Sequence, residues 1–381
     1  MIGSRVPAWA LLALTCSAFW LYGARAFGTE SSDPAVNPPE CRADDPTFFT
    51  GAVRTQFGFD MVAVCRGRFL MGSPETEEGH GTHDPPGPRE TQRRVTLTHD
   101  FWIGRTSVTQ GQAVRFLGYD PSSRSTESGN LPVESVTWHE AAALANAVST
   151  EAGLPLCYAC SEDPPPVNCE AAAAYDTPYQ CAGYRLPTSA ELEYATRAGT
   201  TSAFSSGGDL AAGDGSDEPV AGTVGPGPGC RPGIRLTDGR PLSEIAWYCD
   251  NSQGKTHEVG QLAPNPWGLY DVHGNVYSWC HDWYGPAGSW GRKDPVGTDS
   301  SLGERVTRGG SWFVDAAVLR SAYRSSCPPD RSIDDLGVRL VRSLPHRKQF
   351  NPMGLALAVL ALATLVGIGV VLRRRLSRHR G

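Results

Sequence analysis

Charge is scarce in this sequence. Asp, Glu, Lys and Arg together make up 19% of the 381 residues, and no stripe of Lys or Arg crosses the body of the chain. All 40 acidic residues fall within residues 27–346, against 25 of the 34 basic ones, so that stretch carries −15. An acidic body without a basic patch excludes nucleic acid as a partner. Long uninterrupted helical patterns are also missing. The 43 glycines and 30 prolines make roughly a fifth of the chain turn-forming, too much for a helical bundle or coiled coil. Aromatic residues are abundant, with 10 Trp, 12 Tyr and 12 Phe. They are enough to fill a sizeable core, which excludes wholesale disorder.

The two ends are addressed to a membrane. Residues 1–26 read as a secretory signal peptide: Arg5 gives the positive start, residues 8–22 are uncharged and apolar, and Ala24-Arg25-Ala26 is an A-x-A cleavage site. Lipidation at Cys16 is the weaker reading, because Ala13-Leu14-Thr15 lacks the small residue expected before a lipidated cysteine. Residues 353–372 carry no charge, and at roughly 1.5 Å per residue a helix of that length matches the hydrocarbon thickness of a bilayer. The basic tail at residues 373–381, with Arg373, Arg374, Arg375, Arg378 and Arg380 against Arg347 and Lys348 before the run, orients it with the tail cytoplasmic and the body exported. The expectation is a single-pass cell-membrane protein with its body periplasmic or at the cell surface. A processed sorting tail remains the alternative to a permanent anchor.

Apart from Cys16 there are ten cysteines, an even number suited to an oxidising compartment: Cys41, Cys65, Cys157, Cys160, Cys169, Cys181, Cys230, Cys249, Cys280 and Cys327. Zinc is the alternative for Cys157-x-x-Cys160, but outside the cytosol two disulfides among Cys157, Cys160, Cys169 and Cys181 are the expectation. The remaining six are expected to pair as Cys41 with Cys65, Cys230 with Cys249 and Cys280 with Cys327, although spacing alone does not fix pairing.

Residues 27–46 form a Pro-, Ser- and acid-rich linker, and a single α+β domain is expected over 47–344. Residues 61–71 read as a strand ending in the turn Gly72-Ser73-Pro74, residues 75–90 as a loop, and residues 94–103 as a second strand. Three short helices announce themselves by their starts: Thr109-x-x-Gln112, stopped at Gly118; Thr137-x-x-Glu140, stopped at Gly153; and Thr188-x-x-Glu191, stopped at Gly199. Residues 200–242 read as irregular loop. Short strand-like runs follow at 247–248, 276–279, 306–308 and 337–341, and no internal repeat is visible.

The stretch GYRLPTSAELEYATRAG (183–199) closely resembles the signature of the formylglycine-generating enzyme, or sulfatase-modifying factor, family. The resemblance continues in order through RFLMGS (68–73), FWIGRTSVTQ (101–110), LPVESVTWHEA (131–141), NPWGLYDVHGNVYSW (265–279), RVTRGGSW (305–312) and Gly337-Val338-Arg339. Blocks matching in order over most of the body are specific where one alone is not. The fold the resemblance implies is α+β, the family's C-type-lectin-like variant with little regular secondary structure, followed here by a C-terminal transmembrane helix.

Each block also has a bland explanation. Arg185, Arg324 and Arg339 are expected to tie loops together through carbonyls and carboxylates rather than to bind an anion. Trp267, Trp279, Trp283 and Trp312 are expected in the core, with a ligand cleft as the alternative. His139, His273 and His281 lack metal spacing and are expected at the surface or in turns.

In active relatives, oxidation of a substrate cysteine to formylglycine depends on a cysteine pair after the Gly-Gly-Ser block that holds copper(I), an ion that needs soft thiolates. Counting from Ser311, those positions are Val314 and Leu319, so no copper is expected. Calcium is the one cofactor left open, at Gly274, Val276 and Ser278. Ser278 stands where the family typically carries a glutamate, which makes that site weak. The favoured reading is therefore a diverged, membrane-anchored member acting as a ligand- or protein-binding module. Its candidate cleft comprises Asp282, Trp283, Trp312, Asp315, Arg324 and Arg339. The alternatives are a superfamily enzyme with other chemistry (maturation of a secondary metabolite, cofactor or protein) built on His281, Asp282, Asp315 and Arg324, a formylglycine-generating oxidase by family label only, or a structural spacer. The partners implied are an unidentified protein or small ligand, and the membrane itself.

Overall fold

The computed structural model describes residues 53–81, 90–124, 128–161, 167–211, 230–286 and 290–344. The expected signal segment, linker, apolar run and basic tail lie outside these residues. Among the described residues, no helix is long and apolar enough to cross a membrane.

The three helix starts fold as the sequence indicates. Helices α1 (Gln110–Leu117), α2 (Trp138–Glu151) and α3 (Ser189–Arg197) each begin with a complete capping box, formed by Thr109 with Gln112, Thr137 with Glu140, and Thr188 with Glu191. Each hydroxyl accepts from the third amide of its helix, and each acid or amide side chain accepts from the amide of its cap residue, so two otherwise orphaned donors are satisfied at every start. Gly118, at φ 82°, closes α1 in the left-handed conformation that an L side chain adopts only with strain.

The strands are β1 (Val53–Gln56), β2 (Phe59–Val64), β3 (Gly67–Met71), β4 (Arg93–Leu97), β5 (Phe101–Gly104), β6 (Tyr158–Cys160), β7 (Cys169–Ala171), β8 (Tyr184–Arg185), β9 (Tyr277–Trp283), β10 (Arg305–Arg308), β11 (Ser325–Cys327), β12 (Leu336–Gly337) and β13 (Val341–Ser343). They form a five-stranded sheet in the order β1-β2-β5-β13-β8 and a four-stranded sheet in the order β11-β10-β9-β12. Two hairpins complete the set, β3 with β4 and β6 with β7. Only β12 with β9 runs parallel among the described pairs.

Several strand expectations need correction. The runs at 61–71 and 94–103 are not single strands. Each breaks where it crosses between the five-stranded sheet (β2, β5) and the small hairpin (β3, β4). Carboxylates at the corner replace the lost ladder partners: Asp100 accepts from the Arg66 amide at 2.8 Å, and Asp294 accepts from the Thr98 amide at 2.8 Å and its hydroxyl at 2.6 Å. Similarly, 337–341 divides between β12 and β13, and 247–248 makes only a bridge to Gly274. β1 escaped the sequence reading because it is a half-exposed edge with no apolar alternation to mark it.

The five-stranded sheet is covered on both faces, as the period-two alternation of its strands requires. Met61, Ala63 and Trp102 point to the α2 side, where Trp138, Ala141, Ala145 and Trp279 pack. Val62, Val64, Phe101 and Ile103 point to the α3 side with Ala190, Leu192 and Trp267. The indole amines of Trp138 and Trp279 donate to the carbonyls of Cys280 and Val136, at 2.9 and 2.8 Å.

Buried charge holds the junction. Arg185 grips Glu191 with two hydrogen bonds of 2.7 Å, and both side chains are fully buried. Glu193 accepts from the Gly72 amide at 2.7 Å, Arg197 at 2.9 Å and Arg308 at 2.8 Å. Arg339 donates to the carbonyls of Gly104, Tyr270 and Asp271. The arginines do act as loop ties. Burial opposes ionisation of Glu191, but Arg185 and His99 outweigh it and hold its pKa well below the usual range.

Arg185→Met strands the Glu191 carboxylate and is expected to lower unfolding stability by about 3–5 kcal/mol, read by denaturant titration. His99 lies 2.9 Å from Glu191 and 3.3 Å from Asp294. Burial works against its charge, yet the two carboxylates raise its pKa above the ordinary 6.5. A raised folded-state value stabilises fully below 6.5, and that contribution fades as pH rises through the folded value. The wild type should therefore lose stability relative to His99→Gln from pH 6.5 upward. A pH-independent difference between the two would contradict this.

Candidate functional site

Gly309 and Gly310 both adopt positive φ, 98° and 71°. The turn they make is anchored by the Gly274 amide donating to Gly309 at 2.8 Å and the Trp312 amide donating to Asn275 at 2.9 Å. Beneath it lies hydrocarbon. A Cβ on Gly310 would meet Leu319 Cδ2 at 2.4 Å. Leu319 is fully buried among Phe204, Leu242 and Tyr248, and Val314 packs partly buried against the same cluster. Between them Asp315 caps the single helical turn Ala316–Val318 and pairs with Arg231 at 3.0 Å. The space beneath the turn is an apolar floor.

Three of the expected disulfides form: Cys157 with Cys181, Cys160 with Cys169, and Cys230 with Cys249. Zinc at Cys157-x-x-Cys160 is thereby replaced by two disulfides. Cys65 is disulfide-bonded, and its expected partner Cys41 lies outside the described residues. The pairing of Cys280 with Cys327 is overturned, since both are free and buried. They sit on β9 and β11 with β10 between them, two strand spacings or about 9–10 Å apart, beyond the roughly 7 Å a disulfide spans. They also face opposite ways, Cys280 into the α3 core and Cys327 into the α2 core. Burial pushes the Cys280 thiol far up and the Cys327 thiol up to about 11, so neither offers a thiolate. These residues do not fit copper(I).

The predicted cleft residues go to different places. Asp282 is buried under the start of α3, accepting from the amides of Ser189 at 2.7 Å and Gly297 at 2.8 Å. Arg324 stacks over Trp290, 4.2 Å from its centroid, and donates to the Gly285 carbonyl. The Trp312 indole donates to the Asp334 carbonyl at 3.3 Å. Arg339 is the loop tie already described. Of the six, Trp283 lines a cavity of about 440 Å³, together with His281 and Arg305. One wall is the hairpin β6–β7 that the two disulfides pin down. For the calcium position, Ser278 lies inside the four-stranded sheet opposite Arg308 and Gly337. Among the described residues no group of three His, Cys, Asp or Glu side chains could hold a metal ion.

The histidines are not surface residues. His273 is buried between the Leu319 carbonyl at 2.8 Å and the Ser205 amide at 3.2 Å. His281 lies 3.3 Å from the Tyr158 hydroxyl. Burial pushes their pKa values down to about 4 and about 3, which leaves both rings neutral. His139 accepts from the Cys169 amide at 3.0 Å. The sequence reading passed over Arg305 as a functional candidate. Its neighbours Trp138 and Trp283 come from segments far apart in the chain, so no local spacing signals them.

Residues 51–344 match the family described as the Sulfatase-modifying factor enzyme 1-like domain, and the chain belongs to that family. It is 30% identical over 279 residues to the chaperone protein LppX of Paenibacillus barcinonensis, covering 66% of this chain and 83% of that one. It is 34% identical over 176 residues to the formylglycine-generating enzyme of Streptomyces coelicolor, covering 42% of this chain but only 46% of the enzyme. In structure it resembles Treponema denticola variable protein 1, with a TM-score of 0.57 and 26% identity over 77% of this chain and 99% of that one. It also shares a fold with PvdO from Pseudomonas aeruginosa, with a TM-score of 0.53 and 23% identity over 77% and 98% of the two chains.

Maleimide labelling of the unreduced body should find no reactive thiol in the native state. After denaturation it should find two, at Cys280 and Cys327. A single labelled position, or a Cys280–Cys327 peptide pair in the unreduced digest, would contradict this arrangement.

Proposed function

We propose that this domain is a non-oxidising member of the family that binds a protein partner, exported and tethered to the membrane by residues 353–372. The observation that carries the reading is Leu319 filling the space under the Gly309-Gly310 turn, with Val314 beside the same apolar cluster. Cysteine oxidation through copper(I) needs two thiolates that converge on the ion. At the two counted positions stand side chains with no ligating atom.

Two further features favour a protein as the bound partner. The Paenibacillus relative bears the name of a chaperone protein, a role exercised on other proteins. Immediately after Trp312, the Phe313 ring is 44% exposed, an aromatic surface of the kind enriched at protein interfaces. Long loops on a disulfide-fixed body suit such a surface, because the scaffold stays rigid while the loops carry the contacts. The enzymatic alternative built on His281, Asp282, Asp315 and Arg324 draws less support. Asp282 and Asp315 already cap the turns they sit beneath, and His281 is buried and neutral.

Incubation of the protein with copper, oxygen and a peptide containing Cys-x-Pro-x-Arg should yield no aldehyde, and a copper(I) chelator should retain all its metal. Formylglycine in the peptide would sink the reading. The full chain should partition with membranes, and deletion of residues 353–372 should release it. Release of the intact chain by a high-salt wash would remove the tether from the proposal.

A further inference from the structure

Among the described residues, Arg305 lacks the carboxylate partner that most of its buried arginine neighbours have. Arg185, Arg197, Arg308 and Arg320 each meet a carboxylate at 2.6–2.9 Å, and Arg339 spends its donors on three carbonyls. Arg305 is only 5% exposed and forms no ion pair among the described residues. Its guanidinium carbon lies 3.9 Å from the ring centroid of Trp138 and 3.5 Å from that of Trp283. Nη1 donates to the His281 carbonyl at 2.6 Å. Nε has no hydrogen-bond partner, and no bond from Nη2 answers for it. A guanidinium is a planar fork whose paired donors match an oxyanion. Leaving part of that fork unanswered in a buried site costs free energy unless something else completes it.

The arginine opens onto the cavity of about 440 Å³ between the β6–β7 hairpin and β9, a size typical of small-molecule sites. Tyr175, Pro178, Thr177 and Thr298 line it, with the Cys157–Cys181 disulfide in its wall. His281 is neutral there, since burial and the nearby Arg305 drive its pKa down to about 3. Among the described lining residues Arg305 alone carries a positive charge. Glu170 and Asp176 line the same cavity, and the fields of Glu170 and Asp282 reach Arg305. These carboxylates oppose any added negative charge, so an anion is held there only by direct hydrogen bonds to the guanidinium, and a doubly charged one is repelled more than a singly charged one.

We propose that this cavity binds a small monocarboxylate whose carboxylate accepts from Nη2 of Arg305, held between Trp138 and Trp283. The site is separate from the Gly309-Gly310 turn and does not rest on the reading given for that turn. Glu170 limits the affinity by repulsion, and the disulfides hold the hairpin wall in place.

The test is titration of the full-length chain with benzoate, benzamide and inorganic phosphate, followed by tryptophan fluorescence and calorimetry. Benzoate should bind saturably, with benzamide and phosphate each at least about tenfold weaker. Arg305→Gln should weaken benzoate by about tenfold or more. Glu170→Gln, an exposed position that leaves the core untouched, should tighten it several-fold. A short peptide with a free C-terminal carboxylate, compared with its amide, separates a peptide end from a free acid as the source: tighter binding than benzoate assigns the peptide end, and weaker binding assigns the free acid. Equal binding of benzoate and benzamide would overturn the proposal. So would benzoate affinity that Glu170→Gln leaves unchanged or lowers, or the absence of saturable binding in both the wild type and Glu170→Gln.

Discussion

Burial of charge at the start of α3 is the constraint on which the rest of this fold depends. Glu191 serves two structures at once: its carboxylate closes the capping box with Thr188 and receives both arms of Arg185. Two residues on, Glu193 joins the Gly72 turn, Arg197 and Arg308 in one place. Asp282 from β9 meets the first amide of the same helix. Three segments distant in sequence, at Gly72, Asp282 and Arg308, are thus fixed to one helix end by buried groups that allow little displacement. A fold with short strands has few ladder bonds to spend on its own registration. Bidentate arginine–carboxylate pairs supply direction as well as attraction, and breaking one leaves a charge that the interior cannot solvate.

The same rigidity holds the glycine-glycine turn in place. The turn is held by Gly274 and Asn275 below and by the close approach of Leu319, contacts indifferent to whether sulfur or carbon lies underneath. Leu319 makes that floor apolar and adds to the core of Phe204, Leu242 and Tyr248. The two thiols that remain are held on opposite sides of a sheet, each protonated by its surroundings.

A second region of the molecule departs from plain packing. The hairpin β6–β7 is too short to hold itself; one disulfide crosses it and another ties it to the segment before β8. It walls a cavity onto which an arginine packed between two indoles opens. Cation–π contact lowers the cost of burying the guanidinium but does not satisfy its N–H donors.

Local chemistry was legible in the sequence. The three capping boxes, the Gly72 turn, the role of Arg185 and Arg339 as ties and the disulfides of the 157–181 region all follow from residue types at short spacing, where the interacting partners are close along the chain or few in number. The family resemblance, carried by ordered blocks, pointed to the fold. Tertiary structure alone decided the rest. Only the corner carboxylates Asp100 and Asp294 reveal that two strand-like runs each change sheet. Only the insertion of β10 between β9 and β11 forbids the Cys280–Cys327 bond. The grouping of Trp138, Trp283 and Arg305 around one cavity depends on three segments whose separation along the chain carries no periodic signal. Burial and strand order are properties of the assembled layers, and no window of sequence contains them.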